Sequence, residues 1–292
     1  MPETLEIEDV VTGARGGVRV ERRGPKETAS APPMVILGGM TQTLASWGGQ
    51  LRALAKTREV LVYETRGQGT TSLGLGDVRP PVHVADFCAV MAACGWAETP
   101  VDLCGFSFGG RMALAIAAAQ SHQLRRLVVT GVSAGRGALG RAIVAAWRAA
   151  LQTGSLETLA WVSLPDILGP GYLGRNEKLI PAMIKATVSR NSFAGVKALF
   201  DQAMGPSASS DKAWPWDPVV LAAQIHTPTL VIGGELDRLA PAEDLHALAS
   251  SFAGPATVEV ISGVGHTVAI EAPAAWREPV LSFLSQASGA AP

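Results

Sequence analysis

Short, continuously apolar runs alternate along this chain with longer stretches rich in alanine and leucine, and that alternation constrains the fold more than any other feature. Met34-Val35-Ile36-Leu37 is the sharpest of the runs. Four consecutive apolar side chains leave no polar face, so a strand there must be covered on both sides, as in the middle of a parallel sheet. The same pattern predicts strands over 18–21, 34–37, 60–63, 101–103, 126–130, 230–232 and 258–261. Helices are expected over 47–54, 83–94, 108–119, 242–252 and 274–285, where apolar residues recur at helical spacing. Strand and helix in turn imply an α/β fold with a mostly parallel sheet. No helix separates the first strands, near 5–11 and 18–21, so these should pair as an antiparallel hairpin at the sheet edge.

Residues 133–216 break the alternation. They read as several helices punctuated at Leu168-Gly169-Pro170-Gly171, Gly174-Arg175-Asn176 and Gly205-Pro206. A helical insertion between two strands is the simplest account, leaving 1–132 and 217–292 as the core domain. The loop 25–33 and the tail 286–292 are rich in small residues and are expected to be mobile.

Composition excludes several classes. Hydrophobic residues make up 48% of the 292 and charged ones 17%, below the roughly 25% of an average domain, so the chain has the apolar content for a large core. A net charge of −1 argues against a nucleic-acid partner. The short cluster Arg19, Arg22, Arg23 and Lys26 is read as a solvated strand end. Cys88, Cys94 and Cys104 are too few and wrongly spaced for a disulfide framework or a metal site. Reduced thiols in a cytoplasmic protein are the expectation, with no metal and no cofactor. The first ten residues carry acids rather than a signal-peptide pattern. The uncharged stretch 28–51 is too interrupted by Pro, Gly and polar residues for a membrane span.

The sharpest chemical signal is Gly105-Phe106-Ser107-Phe108-Gly109-Gly110, placed between the strand at 101–103 and the helix at 108–119. A serine on so tight a strand-to-helix turn projects its hydroxyl outward, and the flanking glycines allow the close approach of strand and helix. Ser107 is therefore the candidate nucleophile. It needs a general base, and His266, in Gly263-Val264-Gly265-His266-Thr267 after the strand at 258–261, is the best placed of five histidines. His83, His122, His226 and His246 read as structural or exposed. The base in turn needs a carboxylate to orient it. Asp237, in Gly233-Gly234-Glu235-Leu236-Asp237-Arg238, follows a strand and so reaches the same sheet edge. Glu235 competes for that role. The stretch Gly131-Val132-Ser133-Ala134 offers no acid.

The chain order Ser107, Asp237, His266 resembles that of the α/β-hydrolase superfamily. Further matches are Leu37-Gly38-Gly39-Met40, where the family usually has His-Gly, the segment Tyr63-Glu64-Thr65-Arg66-Gly67-Gln68-Gly69, and Glu271 and Pro273 trailing His266. The resemblance implies a mostly parallel eight-stranded sheet flanked by helices, with 133–216 as a helical cap after strand six. It also implies an oxyanion hole made by the backbone N–H groups of Met40 and Phe108. Arg66 invites a role as a clamp for a substrate carboxylate, but this loop in the family is more often structural; Glu64 and Asp86 are read as structural too. The stretches 63–69 and 104–110 look like the 3-oxoadipate enol-lactonase branch.

The cap segment carries Trp147, Trp161, Tyr172, Phe193, Phe200, Trp214 and Trp216, and Phe106, Phe108, Gly39 and Met40 flank the nucleophile. An aromatic-lined pocket for a small, largely apolar acyl substrate is the expectation, with Gly39, Phe106, Trp147, Trp161 and Trp214 as candidate substrate contacts. Most of these rings are nonetheless expected to pack the cap. Arg175, Lys178 and Lys185 read as a solvated helix face. The chemistry expected is hydrolysis of a carboxylic ester, lactone or thioester through an acyl-enzyme. The alternatives are C–C bond cleavage, a lyase or cyclase reaction by the same three residues, or a non-catalytic ligand binder.

Overall fold

The computed structural model describes residues 1–25, 29, 31–203 and 216–286. Gly205-Pro206, Trp214, most of the 25–33 loop's tip and nearly all of the tail lie outside them. The eight strands form one sheet: β1 (Glu3–Glu8), β2 (Arg15–Arg23), β3 (Ala31–Leu37), β4 (Arg58–Tyr63), β5 (Val101–Phe106), β6 (Leu124–Thr130), β7 (Thr229–Gly234) and β8 (Ala256–Ile261). Their spatial order is β1-β2-β4-β3-β5-β6-β7-β8. β1 and β2 form the expected antiparallel hairpin, with β2 also antiparallel to β4, and every other pair is parallel.

β3 shows why the chain folds this way. Met34, Val35, Ile36 and Leu37 are all fully buried. Their pleat sends Val35 and Leu37 into one apolar layer and Met34 and Ile36 into the other. Each buried side chain of this size contributes about 1.5–3 kcal/mol. The layer on one face is supplied by α2 (Pro80–Ala93) and α3 (Phe108–Ala119), and the other by α1 (Leu44–Leu54) and α12 (Pro273–Ser285). α2 begins three residues before the expected start, because Pro80 and Pro81 fit a first helical turn, where fixed φ helps and no N–H is required. β8 is half-exposed along its length, as an edge strand should be.

Between β6 and β7 the chain forms α4 (Ala138–Gln152), α5 (Leu156–Ile167), α6 (Pro170–Asn176), α7 (Ile180–Arg190), α8 (Phe193–Ala203) and α9 (Pro218–Ala222). These helices have apolar clusters of their own. One contains Leu151, Leu159, Val196 and Phe200, and another Leu164, Leu168 and Ile184. Both punctuation marks hold: Gly169-Pro170 separates α5 from α6, and Gly174-Arg175-Asn176 is the last turn of α6, which ends at Asn176 before α7. After β7 come α10 (Ala242–Ala249) and, beyond β8, α11 (Val268–Glu271). No helix among the described residues is long and apolar enough to cross a membrane.

The strand order positions the site. From β3 the chain moves one way to β4, then returns to the other side of β3 to lay down β5. The loops after β3 and β5 therefore diverge at the carboxyl ends of adjacent strands. That divergence opens a crevice in an α/β sheet, the usual place for a ligand.

Candidate active site

β5 is buried through Phe106 and α3 begins at Phe108, so Ser107 alone makes the turn. Its φ of 52° is the only positive value at a non-glycine among the described residues. Such backbone costs on the order of 1–3 kcal/mol and persists only where the surroundings enforce it. Here the Ser107 N–H donates to the Thr130 carbonyl at 2.8 Å, and the Gly109 N–H donates to that of Gly38 at 3.1 Å. A Cβ at Gly105 would stand 2.5–2.7 Å from the Gly109 oxygen, the Gly110 Cα and the Ala113 Cβ. One at Gly109 would strike the Leu37 and Gly38 carbonyls. Only glycine lets helix, strand and the β3 loop approach this closely.

His266 and Asp237 come to the same edge from the loops after β8 and β7. His266 Nε2 is 3.0 Å from Ser107 Oγ, and its Nδ1 is 2.7 Å from Asp237 Oδ2. Both side chains are buried. The other Asp237 oxygen accepts the N–H groups of Leu239 and Ala240 at 2.8 and 2.9 Å, which fixes the carboxylate's orientation. Glu235, its competitor, turns away and accepts from Ser262 and Gly263 on the β8 loop. The Phe106 ring packs against the imidazole with centroids 5.0 Å apart.

The loop after β3 carries the second group of interest. The backbone N–H groups of Met40 and Phe108 donate to no protein acceptor among the described residues. Two glutamines brace this loop, and neither was picked out by sequence reasoning. Gln42 Oε1 accepts the Gly39 N–H at 2.9 Å. Gln68 Nε2 donates to the carbonyls of Gly38 and Gly39 at 3.2 and 2.7 Å, while its Oε1 accepts the Thr65 N–H. A Gly-rich loop containing glutamine was the only signal, and it does not say what the amide reaches.

Arg66 is fully buried and pairs with Asp9 and Asp86, each at 2.7 Å, and with the Gly74 carbonyl at 2.6 Å. It ties the Gln68 loop to the β1–β2 turn and α2, and it does not border the cavity. Glu64 accepts the Leu44 and Thr70 N–H groups. His83 is buried behind Phe108 at 5.5 Å between ring centroids, and burial, with the nearby Arg66 charge, pushes its pKa down to about 3, so it is neutral. His122, His226 and His246 are exposed. Glu271 has a larger part than its place in the motif suggests. One oxygen accepts from the Gly169 and Gly265 N–H groups, and the other from Thr267 N–H and Oγ1. It thereby joins the His266 loop to the α5–α6 junction.

A cavity of about 350 Å³ opens above Ser107. Gly39, Met40, Phe106, Phe108 and Trp147 border it, together with Phe200 from α8. Trp147 Nε1 donates to Asp166 at 3.0 Å. Trp161 contradicts the expectation: it is 45% exposed and does not border the cavity. α5 buries Leu159, Ala160, Ser163 and Leu164, and that face turns position 161 outward. Trp214 lies outside the described residues. Phe193, Tyr172 and Trp216 pack against apolar clusters, as expected for most of the rings.

The profile of the alpha/beta hydrolase family matches residues 34–278. A pyrrolizixenacetamide deacetylase from Xenorhabdus hominickii is 26% identical over 260 residues, which is 87% of this chain and 91% of that protein. Among solved structures, the enol-lactonase from Burkholderia xenovorans superposes with a TM-score of 0.77 at 23% identity, covering 93% of this chain and 97% of its own. A thermophilic esterase from Thermogutta terrifontis gives 0.78 at 20% identity, covering 97% and 100%.

Proposed function

The chain belongs to the alpha/beta hydrolase family, and from that premise we propose that it cleaves a carboxylic ester, lactone or thioester through an acyl-enzyme on Ser107. The observation that carries the proposal is the unbroken relay Ser107 Oγ, His266, Asp237, with contacts of 3.0 and 2.7 Å. Ser107 attacks the carbonyl while His266 Nε2 takes its proton. Asp237 holds the imidazole with Nδ1–H toward itself and stabilises the imidazolium. The oxyanion develops beside the Met40 and Phe108 N–H groups, which donate to no acceptor among the described residues and so are available. His266 returns the proton to the leaving group, and water, activated the same way, releases the acid. The strained Ser107 backbone supports this reading too, since it points the hydroxyl away from sheet and helix.

The helices from α4 to α8 act as a cap in this scheme. They furnish Trp147 and Phe200 to the cavity wall and limit water above the acyl group. The names of the relatives, a deacetylase, an enol-lactonase and an esterase, describe acyl groups transferred to water, which suits this chemistry. Ser107→Ala tests it. Turnover of p-nitrophenyl esters, lactones and acyl thioesters should fall at least about 10³-fold, with labelling by a fluorophosphonate abolished. Full turnover by the variant, on the substrates the wild type hydrolyses, sinks the mechanism.

A further inference from the structure

Three side-chain amides fasten the short turn that carries the Met40 N–H, and one of them comes from the inserted helices. The Gln42 N–H donates to the Gly39 carbonyl at 2.9 Å, so residues 39–42 form a tight turn with Met40 and Thr41 at its centre. Gln42 and Gln68 hold the Gly39 corner from within the core. The other corner is the Thr41 carbonyl, which accepts from Asn191 Nδ2 at 3.0 Å. Asn191 directly follows the last residue of α7 and borders the cavity, as do Met40 and Thr41.

The Asn191 amide is committed at both ends. Nδ2 also donates to the Thr187 carbonyl at 3.0 Å, which satisfies the last turn of α7, and Oδ1 accepts the Gly69 N–H at 3.4 Å. Gly69 follows Gln68, so one side chain reaches both of the loops that shape the Gly39 peptide. A few residues on, the first turn of α8 lies against the same loop. A Cβ at Gly195 would strike the Gly67 carbonyl, and no residue but glycine lets α8 sit so close. Met40 and Thr41 therefore lie between two pinned peptides, one held by the core and one by the insertion. Each residue keeps two soft backbone dihedrals, and freeing the Thr41 carbonyl would release them.

We infer that Asn191 is a positioning residue: through Thr41 it makes the seating of α7 and α8 a condition for an aligned Met40 N–H. The helices that border the substrate thus also set a donor for its transition state. This rests on the hydrolase reading above.

Kinetics and a transition-state mimic test it together. Ser107 Oγ adds to the carbonyl carbon of 1,1,1-trifluoro-2-octanone, the carbonyl electron pair moves to oxygen as the oxyanion, and the serine proton passes to His266 Nε2. Asn191→Ala should lower kcat on 4-nitrophenyl hexanoate by about 3- to 30-fold, between the weight of one neutral hydrogen bond and the loss of a whole oxyanion donor. KM should change by less than about twofold, and the inhibition constant of the ketone should rise by the same factor as kcat falls. Asn191→Asp keeps the volume and the acceptor for Gly69 but has no N–H for Thr41, so it should fall at least as far. Gly195→Ala, which lifts α8 from Gly67, should act in the same direction and keeps the test decisive if the Asn191 variants do not fold. A variant set with wild-type kcat, a change in KM alone, or a fall in kcat without weaker ketone inhibition overturns the inference while leaving Ser107-dependent hydrolysis standing. Should the wild type neither hydrolyse the ester nor bind the ketone, hydrogen exchange of peptides covering 38–43 settles the matter. Faster exchange there in Asn191→Ala, with β5 unchanged, supports the fastening and removes the hydrolase reading, and equal exchange overturns the fastening.

Discussion

Gln68 holds Gly39 through a hydrogen bond of 2.7 Å from its side-chain amide to the glycine carbonyl. The two residues belong to different loops, after β4 and after β3. Because the same carboxamide also accepts from Thr65, both of its ends are committed. Turning the Gly39 carbonyl toward Gln68 orients the peptide that follows, and that peptide carries the Met40 N–H.

Gln68→Leu keeps the volume and removes every one of these bonds. It should lower stability by about 1–3 kcal/mol, the cost of leaving buried carbonyls unpaired. It should also lower kcat about tenfold with a smaller change in KM, because an oxyanion donor acts chiefly in the transition state. Steady-state kinetics well below the melting temperature separate the two effects. A variant that loses stability but keeps wild-type kcat would limit Gln68 to a structural role.

Asp237→Asn should leave the fold intact, since Oδ1 can still accept from Leu239 and Ala240. The new amide group would face His266 Nδ1 as a donor. The imidazole would then carry its proton on Nε2, toward Ser107, and lose its ability to act as a base. A fall in kcat of about 10³- to 10⁴-fold is expected. Denaturation should show a near-normal unfolding midpoint alongside it.

Asp9 makes stability depend on acid. Burial alone would raise its pKa, but the Gly74 and Val11 N–H groups and Arg66 outweigh that and hold it at about 2, against 3.8 in the unfolded chain. The folded value is the lower one, so the ionised form stabilises the protein above about pH 4. This stabilisation fades as pH falls from 3.8 toward 2, and it amounts to about 2 kcal/mol. Urea unfolding of wild type and Asp9→Asn should differ most near neutrality, and the gap should shrink by about that amount near pH 2. A gap independent of pH would contradict the assignment.

Glu271→Gln replaces a carboxylate that accepts four hydrogen bonds with a group that can accept on only one end. The Gly265 and Thr267 N–H groups flank His266, so the loop carrying the imidazole should loosen. A loss of about 1.5–3 kcal/mol is expected from one charge-assisted contact set, with a fall in kcat that low temperature partly restores. Unchanged unfolding in urea would show that these contacts carry no net weight.

The local physics of the chain already contained the element order. Four apolar residues at 34–37 demanded cover on both faces, and both layers are present. Gly105 and Gly109 around Ser107 announced a close helix–strand turn because any other residue would collide there. The loops bearing Asp237 and His266 were legible as segments that follow strands. What no local pattern carries is the direction in which a side chain finds its partner. The 3.0 Å contact between residues 107 and 266 depends on strand order and register across β5 to β8. Trp161 points outward because of what α5 packs against, which its own sequence leaves open. Gln68 looks ordinary in the sequence, and Glu271 stands out there only as a match trailing His266. Their roles arise from backbone groups of remote segments, and the free energy of such contacts exists only once those segments are brought together.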